Sequence, residues 1–392
     1  MLVGVGTFAT TFAQSRLLAR LPTTFLLKNQ FHLPQQDVAF FFFWVTFPWL
    51  IKPLVGVLAD AFPLFGTRRR HYMMLGSAAA GVAWAAMGPA SVGYTSLLLV
   101  TLVMNVATIF PSTVMGGLMV EAGQIYGASG RMSSLRQSLQ SVAGIIAPTI
   151  GGYLAARAYG WTTAIGAITA LGLTLCTYFV LREPEVSPAT VDNNAGLTAP
   201  RPPAGAYVGM GVMTAVTVGL LLWTDLTQVA LSLFALVLVL GAIVAVGVWP
   251  TRNPAGVRAQ VQLSHVFASR TLWFSVAMIF LVYTVPGLNT SLVYRQTDVL
   301  QFSTGFIGFL GSLEGAFGVA AAAFYAAFCG RFSLRTLLVG GVGLNGLFTL
   351  LYLIYTAGSA PYIHAVIGFV AILTELAIMD LAIRATPVGC ES

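Results

Sequence analysis

Between positions 56 and 70 the chain reads GVLADAFPLFGTRRR, a short polar stretch that stands between two long apolar runs. Its chemistry lies in one acid, two glycines and a basic run, namely Asp60, Gly56, Gly66, Arg68, Arg69 and Arg70. The pattern predicts a tight hairpin in which Gly56 lets two helices approach closely and Asp60 pairs with a guanidinium. Such a pair would latch one conformation of a moving protein. A plain stop-transfer cluster of arginines is the alternative.

The composition of the whole chain excludes an ordinary water-soluble protein. Of its 392 residues, 57% are hydrophobic and only 8% are charged, whereas a soluble domain carries roughly a quarter charged residues. The formal charge is +7, but the basic residues form short clusters between apolar runs, so we expect no nucleic acid partner. Lipid is the expected solvent for most of the surface.

Twelve apolar segments run along the chain, most of them near the roughly 20 residues that span a bilayer. Helices are predicted, because lipid supplies no partners for backbone N–H and C=O groups. The predicted fold class is therefore an all-α, polytopic membrane protein. The segments cover 3–27, 37–59, 72–91, 94–120, 133–157, 161–181, 206–223, 227–249, 271–293, 304–329, 334–356 and 361–384.

Two polar intervals divide these segments into groups of six, two and four. The first is rich in Pro, Ala and Asn and has no apolar period, so it is predicted to be a linker. We expect a six-helix bundle over 1–182, a cytoplasmic linker over 183–205, an inserted helical pair over 206–249, a cytoplasmic loop over 250–270 and a last bundle over 271–392.

The distribution of basic residues predicts the topology. With the N-terminus in the cytoplasm, thirteen of the 19 lysines and arginines fall in inside loops or ends, and only Lys28, Arg157 and Arg295 fall outside. This bias follows the positive-inside rule. We therefore expect a multi-pass protein of a cell membrane, either a bacterial inner membrane or an organellar one, that acts as a monomer.

The 56–70 segment resembles the signature loop of the major facilitator superfamily, in a form with a longer spacing between Asp60 and Gly66. Together with Pro48 to Leu54, Leu118 to Glu121 and Phe302 to Gly308, it resembles the folate–biopterin transporter family. The resemblance implies a helical transporter bundle. It also likens Thr386 to Ser392 to the loop before the family's penultimate helix, which implies a C-terminal bundle without its last two helices.

Charges within the apolar segments are candidates for function, because such groups are costly in lipid and usually face a cavity or a partner. Arg16 and Arg20 are four residues apart, hence on one face of the first predicted helix. With Lys52 they are predicted to form a basic wall that binds an anionic solute. The alternative is that these residues form structural ion pairs or reach the interface.

Two deep carboxylates are candidates for proton coupling. Glu314 lies in the middle of its segment between glycines, where desolvation favours the protonated form. Glu375 is similarly deep in the last segment. A structural partnership with a basic residue of the first half is the alternative for Glu314.

Aromatic and polar residues near predicted bends are further candidates for substrate binding. Tyr283 and Asn289 flank Pro286 and Gly287, and transporters often bind solutes where a helix is interrupted near the midplane. Trp44 ends a run of phenylalanines and is able to stack on a flat ring. Packing against neighbouring helices is the alternative for each of them.

The fifth segment carries Pro148, Gly151 and Gly152, which permit bending and close packing. This run resembles the motif of drug–proton antiporters in the same superfamily. Ordinary tight packing is the alternative explanation.

The sequence shows no glycine loop for nucleotide phosphates and no nucleophile–base pattern, so we expect neither an ATP-driven pump nor an enzyme. Its three cysteines show no metal or redox spacing, and we expect no metal or other cofactor. The leading hypothesis is proton-coupled uptake, a symport, of an anionic, ring-bearing metabolite. The resemblance suggests folates or pterins. The alternatives are a drug/proton antiporter that exports hydrophobic compounds and a non-transporting membrane factor for pigments or assembly.

Overall fold

The structure, a computed structural model, describes residues 2–46, 48–49, 52, 55–56, 59, 64–65, 67, 69–125, 129–183, 289–328, 331 and 333–385. The predicted inserted pair and the loop that follows it lie outside these residues. Contacts divide the chain into two units, one of Met1–Trp49, Arg70–Arg182 and Pro286–Ile383, the other of Leu50–Arg69, Glu183–Val285 and Arg384–Ser392. The predicted domain boundaries stay predictions.

The elements of the described residues are helical. They include two π-helical turns, Leu26–Gln30 and Arg295–Val299, and a 3₁₀ turn, Leu350–Ile354. The α-helices are α1 (Leu2–Phe12), α2 (Arg20–Phe25), α3 (Gln35–Thr46), α4 (Arg70–Ala90), α5 (Tyr94–Ile125), α6 (Ser129–Leu154), α7 (Tyr159–Val180), α8 (Asn289–Tyr294), α9 (Thr304–Phe328), α10 (Leu334–Thr349) and α11 (Ala360–Ala385).

Six stretches of the described helices are long and apolar enough to cross a membrane. Each coincides with a segment predicted from the sequence, and the predicted all-α, multi-pass class is confirmed. The total of about twelve segments extends over undescribed residues and stays a prediction. The six are Arg70–Ala90, Tyr94–Val120, Tyr159–Val180, Thr304–Phe328, Thr336–Ile354 and Ala360–Asp380.

Helix α6 is long, but it is not one of these six stretches. Its first half is polar. Ser133, Ser134, Gln137 and Ser141 are all buried, since α6 packs against α1, α5 and α9 inside the first unit. Polar groups that face the interior of a bundle escape the cost of contact with lipid. The helix begins at Ser129, four residues before the predicted start at 133.

The first predicted segment is not one continuous helix, and that prediction was wrong in its middle. The helix stops at Phe12 and resumes at Arg20, with turns between them. Tertiary contacts hold the break, because the Trp84 indole N–H donates to the carbonyl of Ala13 at 3.0 Å and the Asn105 amide donates to the Ser15 hydroxyl at 3.1 Å. The bond to Ala13 satisfies a carbonyl that a continuous helix would pair with a backbone N–H.

Helices α6 and α9 pack through facing glycines. A Cβ added to Gly315 would lie 2.5 Å from the carbonyl carbon of Gly144 and equally close to the nitrogen of Ile145. One added to Gly152 would lie 2.6 Å from the carbonyl oxygen of Thr304. Small residues let helix backbones touch in this way. Pro148 and Gly152 of the fifth-segment motif therefore lie in the packing between α6 and α9, whereas a Cβ added to Gly151 would lie 2.8 Å from the carbonyl oxygen of Leu18.

The two π-helical turns share one geometry although their sequences differ. In each, the residue after the turn donates its N–H to the first carbonyl, Phe31 to Leu26 at 3.3 Å and Leu300 to Arg295 at 3.0 Å. The following residues, His32 and Gln301, have φ of 51° and 53°, in the left-handed region. The same ending thus occurs in both halves of the chain.

Candidate functional site

The break in the first segment presents polar groups at the middle of the first unit. Gln14 and Ser15 are buried, while Arg16 is exposed. The Arg16 Nε donates to Gln14 Oε1 at 3.1 Å, and its guanidinium carbon lies 5.7 Å from the centre of the Trp49 ring. Trp49 is itself fixed by a 3.1 Å bond from its indole N–H to Asn105 Oδ1. An interrupted helix of this kind is where transporters commonly bind solutes.

Arg20 stands at the start of α2 and joins the break to the second half of the chain. It lies deep among protein atoms and interacts electrostatically with Glu314, Arg16 and Tyr352. Its side chain nevertheless keeps partial exposure. Arg20 therefore interacts with both Arg16 and Glu314, and a turn, not one continuous helix face as predicted, joins the two arginines.

Glu314 has a second partner that the sequence did not reveal. His364 of α11 places its Nδ1 2.5 Å from Glu314 Oε1. The other ring nitrogen, Nε2, lies 2.9 Å from the hydroxyl of Tyr355, and the Gln296 amide nitrogen donates to that hydroxyl at 2.5 Å. We call Arg20, Glu314, His364, Tyr355 and Gln296 the central polar cluster.

A close contact between α9 and α11 holds the histidine in place. A Cβ added to Gly368 would lie 2.6 Å from the Cα of Glu314. Gly368 is one helical turn beyond His364, so the contact brings the imidazole alongside the Glu314 side chain. A lone histidine in an apolar run gives little signal from sequence alone, because its partner lies 50 residues away.

Arg136 is one of the thirteen basic residues that the positive-inside count assigns to inside loops or ends. The structure places it on α6, deep among protein atoms and partly exposed. Its guanidinium would lie 3.8 Å from a Cβ added to Gly116 of α5. A glycine in α5 therefore leaves room for an arginine of the neighbouring helix.

Several predicted site residues lie elsewhere. Lys52 is half-buried and belongs to the second unit, so its place in a basic wall stays a prediction. Trp44 packs edge-on against Phe43, with ring centres 5.7 Å apart. Glu375 is half-buried on α11, about 16 Å along the helix from His364. Tyr283 and the side chain of Asn289 lie outside the described residues.

The predicted latch is described only in part. Asp60, Gly66 and Arg68 lie outside the described residues, whereas Leu64 and Thr67 exchange two backbone hydrogen bonds in a tight turn. The Arg69 N–H donates to Glu183 Oε2 at 3.0 Å, and the Arg70 guanidinium donates to the carbonyl of Tyr178 at 3.1 Å. Glu183 thus accepts from the backbone of the basic run. The predicted pairing of Asp60 with a guanidinium stays a prediction.

A further set of contacts joins the two halves at the side predicted to face outward. Lys28 forms an ion pair with Asp298, donates to Thr297 Oγ1 at 2.6 Å and lies over the ring of Tyr294. The Tyr294 hydroxyl donates to the carbonyl of Leu33 at 2.9 Å. These contacts, which we call the outer clasp, connect the two π-helical turns and the residues beside them.

We expect the Lys28–Asp298 pair to contribute about 0.5–1 kcal/mol, the usual value for an exposed pair. Lys28→Glu or Asp298→Lys alone places like charges opposite each other and lowers the melting temperature of the detergent-purified protein. The double variant Lys28→Glu/Asp298→Lys restores most of the loss. A double-mutant cycle with no coupling would show that the pair contributes nothing.

The outer clasp is not expected to respond to pH in the physiological range. The hydrogen bond from Lys28 holds the pKa of the Asp298 carboxyl below its usual range. A lowered folded-state pKa means that the pair stabilises the fold above the unfolded-state value, about 3.9, and is lost only as pH falls through the folded-state value. Any pH dependence between 5 and 8 therefore has another source.

Comparison with known proteins identifies the family of the chain. The model of the BT1 family matches residues 14–392. A "Folate-biopterin transporter" of Synechocystis sp. is 29% identical over 172 residues, which are 42% of this chain and 34% of that protein. "Probable folate-biopterin transporter 4" of Arabidopsis thaliana is 28% identical over 135 residues, 33% of this chain and 28% of that protein. The matched stretches thus span about a third of these relatives' own lengths.

Solved structures share the fold at low sequence identity. The human organic anion transporter MFSD10 (TETRAN) superposes with a TM-score of 0.54 at 15% identity, over 98% of this chain and 90% of that chain. A D-xylose-proton symporter gives 0.52 at 13% identity, over 98% and 86%. The predicted superfamily and family are confirmed. The chain belongs to the BT1 family, that of the folate–biopterin transporters, and has the fold of the major facilitator superfamily.

Proposed function

We propose that the protein is a secondary active transporter that takes up an anionic, ring-bearing metabolite together with protons, by alternating access. Its relatives carry the names of folate and folate–biopterin transporters. The observation that carries the proposal is the broken first segment, whose Arg20 interacts electrostatically with both Arg16 and Glu314 in the first unit. Its partners are then the bilayer, the solute and protons.

The chemistry of the break suits a solute that is both charged and flat. Arg16 and Arg20 supply guanidinium groups, which bind carboxylates in two-point fashion. The ring of Trp49 beside Arg16 supplies an apolar face for stacking, and the Gln14 amide is able to bond to polar ring edges. Folates and pterins combine a flat heterocycle with such edges, and folates add carboxylates.

Charge balance links the solute to the proton. Arg20 interacts with Glu314 in the structure without solute. An incoming carboxylate replaces Glu314 as the partner of Arg20, which leaves Glu314 as an isolated charge at membrane depth. Such a charge is costly, and taking up a proton removes the cost. Solute and proton therefore bind together and leave together.

Ligand binding to the purified protein tests the first half of this proposal. Folate or a pterin is expected to raise the melting temperature, because a ligand that binds only the folded state stabilises it. Arg20→Gln should weaken binding about tenfold to a hundredfold, the value of roughly 1.5–3 kcal/mol for a hydrogen bond to a charged group. The matched control is Arg157→Gln, which removes an exposed arginine bonded to Tyr153.

The same screen tests the exporter alternative. Stabilisation by lipophilic cations and not by folates or pterins would contradict the proposal. Equal binding by the Arg20→Gln and Arg157→Gln proteins would remove Arg20 from the site. The double variant Arg20→Gln/Glu314→Gln removes both charges and shows whether weaker binding comes only from an unpaired carboxylate.

A further inference from the structure

Behind Glu314 lies a chain of hydrogen bonds that ends at its carboxylate. The Gln296 amide donates to the Tyr355 hydroxyl at 2.5 Å, and that hydroxyl lies 2.9 Å from His364 Nε2. His364 Nδ1 then lies 2.5 Å from Glu314 Oε1. Three separate elements, the second π-helical turn, the residue after the 3₁₀ turn and α11, supply the members of this chain.

The donors at one end of this chain favour one tautomer of His364. Because the Tyr355 oxygen already accepts a hydrogen from Gln296, its own hydrogen is free to point at His364 Nε2. The Gln296 amide nitrogen, a second donor, lies 3.3 Å from the same Nε2. A ring nitrogen faced by two donors accepts, so the single proton of a neutral imidazole stands on Nδ1 and is donated to Glu314.

Burial separates the roles of the two titratable partners. The His364 side chain is 6% exposed and the Glu314 side chain 42% exposed, so an entering proton reaches the carboxylate first. Among the described residues, Arg20 of α2, Tyr352 of the 3₁₀ turn and Tyr355 directly after that turn also interact with Glu314. Helix α6 packs on the same part of α9 with the uncharged Ser141, Gly144 and Ile145.

We propose that Gln296 and Tyr355 keep His364 neutral with its proton on Nδ1, so that Glu314, and not the histidine, takes up the transported proton. His364 is then a positioning residue that orients the carboxylate towards Arg20. The step breaks no covalent bond except that of the entering proton with its carrier water, and Glu314 becomes a neutral acid. This inference rests on the proton coupling of the proposed function.

Nitrogen NMR on the full-length protein labelled with ¹⁵N-histidine tests the protonation state directly. The chain has four histidines, and comparison with His364→Gln assigns the signal. We expect a neutral ring with an unprotonated Nε2 at neutral pH. In Tyr355→Phe, which lacks the hydroxyl donor, we expect a signal from a protonated Nε2. An imidazolium His364 in the unaltered protein would overturn the proposal.

Uptake into vesicles separates the carrier from the positioning residue. Glutamine at position 364 keeps an N–H donor for the carboxylate, so His364→Gln should retain proton-driven uptake, with the pH of half-maximal uptake moved by no more than about one unit. Leucine at the same position removes the donor and should move that pH upward. Loss of proton-driven uptake in His364→Gln, with ligand binding intact, would make the histidine the carrier and refute the inference.

Infrared difference spectroscopy keeps this inference distinct from the proposed function. A protonated-carboxyl band that appears on acidification and is absent in Glu314→Gln supports Glu314 as the proton site, even if uptake proves independent of a proton gradient. The latter result would count against the proposed coupling alone. A band that is unchanged in Glu314→Gln would overturn the site.

Discussion

Glu314→Gln is expected to abolish uphill uptake, so that solute equilibrates across the membrane and does not accumulate. Glutamine keeps the size and the hydrogen-bond acceptor facing His364 Nδ1, but it cannot exchange a proton. The charge balance with Arg20 then no longer changes during the cycle, and the proton gradient has nothing to act on. The expected loss is at least tenfold in steady-state accumulation, measured with radiolabelled solute in proteoliposomes under an inward proton gradient.

Two controls show whether the loss is specific. Glu314→Asp keeps a carboxylate on a shorter side chain, and we expect slower but still proton-driven uptake. Asp298→Asn removes an acid of the outer clasp, outside the predicted spans, and should leave accumulation intact. Proton-dependent accumulation at the unaltered level in Glu314→Gln would remove Glu314 from the mechanism.

Gly315→Leu is expected to destabilise the bundle more than any other single change in the described residues that we consider. Even a Cβ at this position would lie 2.5 Å from backbone atoms of Gly144 and Ile145, and backbone cannot move aside as a side chain can. Helices α6 and α9 would have to separate, with loss of the contacts along both. We expect a cost of about 3 kcal/mol, at the upper end for overpacking.

The matched control for this prediction is Gly305→Leu, in the same helix. A Cβ at Gly305 meets nothing within 4 Å, so both variants change the apolar content of α9 equally and only one disturbs its packing. Melting temperatures of the detergent-purified proteins measure the difference, which should be about 5 °C or more. Equal melting temperatures would show that the facing glycines do not hold the two helices together.

The sequence was sufficient to predict the class of fold and the described spans. Long apolar runs with few charges have one stable arrangement in lipid, so segments such as 94–120 and 304–329 coincide with α5 and α9. The start of α6 was predicted four residues late, because residues 129–132 read SGRM and form no apolar run. A hydropathy pattern cannot tell a polar face turned inward from a loop.

The break in the first segment could not be predicted from the local sequence. Residues 13–19 contain no proline or glycine to interrupt a helix. The interruption is held by Trp84 and Asn105, which lie on other helices and are distant in the chain. Arg16 and Arg20 are near enough to interact electrostatically, but the geometry that joins them depends on tertiary contacts, and their role in a basic wall stays a prediction.

The members of the central polar cluster were likewise predictable only in part. Glu314 stood out, because an acid between glycines in an apolar run is expensive. His364, Tyr355 and Gln296 did not, since each is common on an interior helix face and their relation appears only when α9 and α11 meet at Gly368. The shared geometry of the two π-helical turns was equally hidden, because Leu26–Gln30 and Arg295–Val299 have no residue pattern in common.

The central claim is that solute movement is driven by protons through this cluster. The most direct measurement is accumulation of radiolabelled folate in vesicles that contain the purified protein, with an imposed inward proton gradient. We predict a transient rise of internal folate above the external concentration, which a protonophore abolishes. Internal folate that never exceeds the level in protein-free vesicles, or a rise that survives the protonophore, would contradict the account.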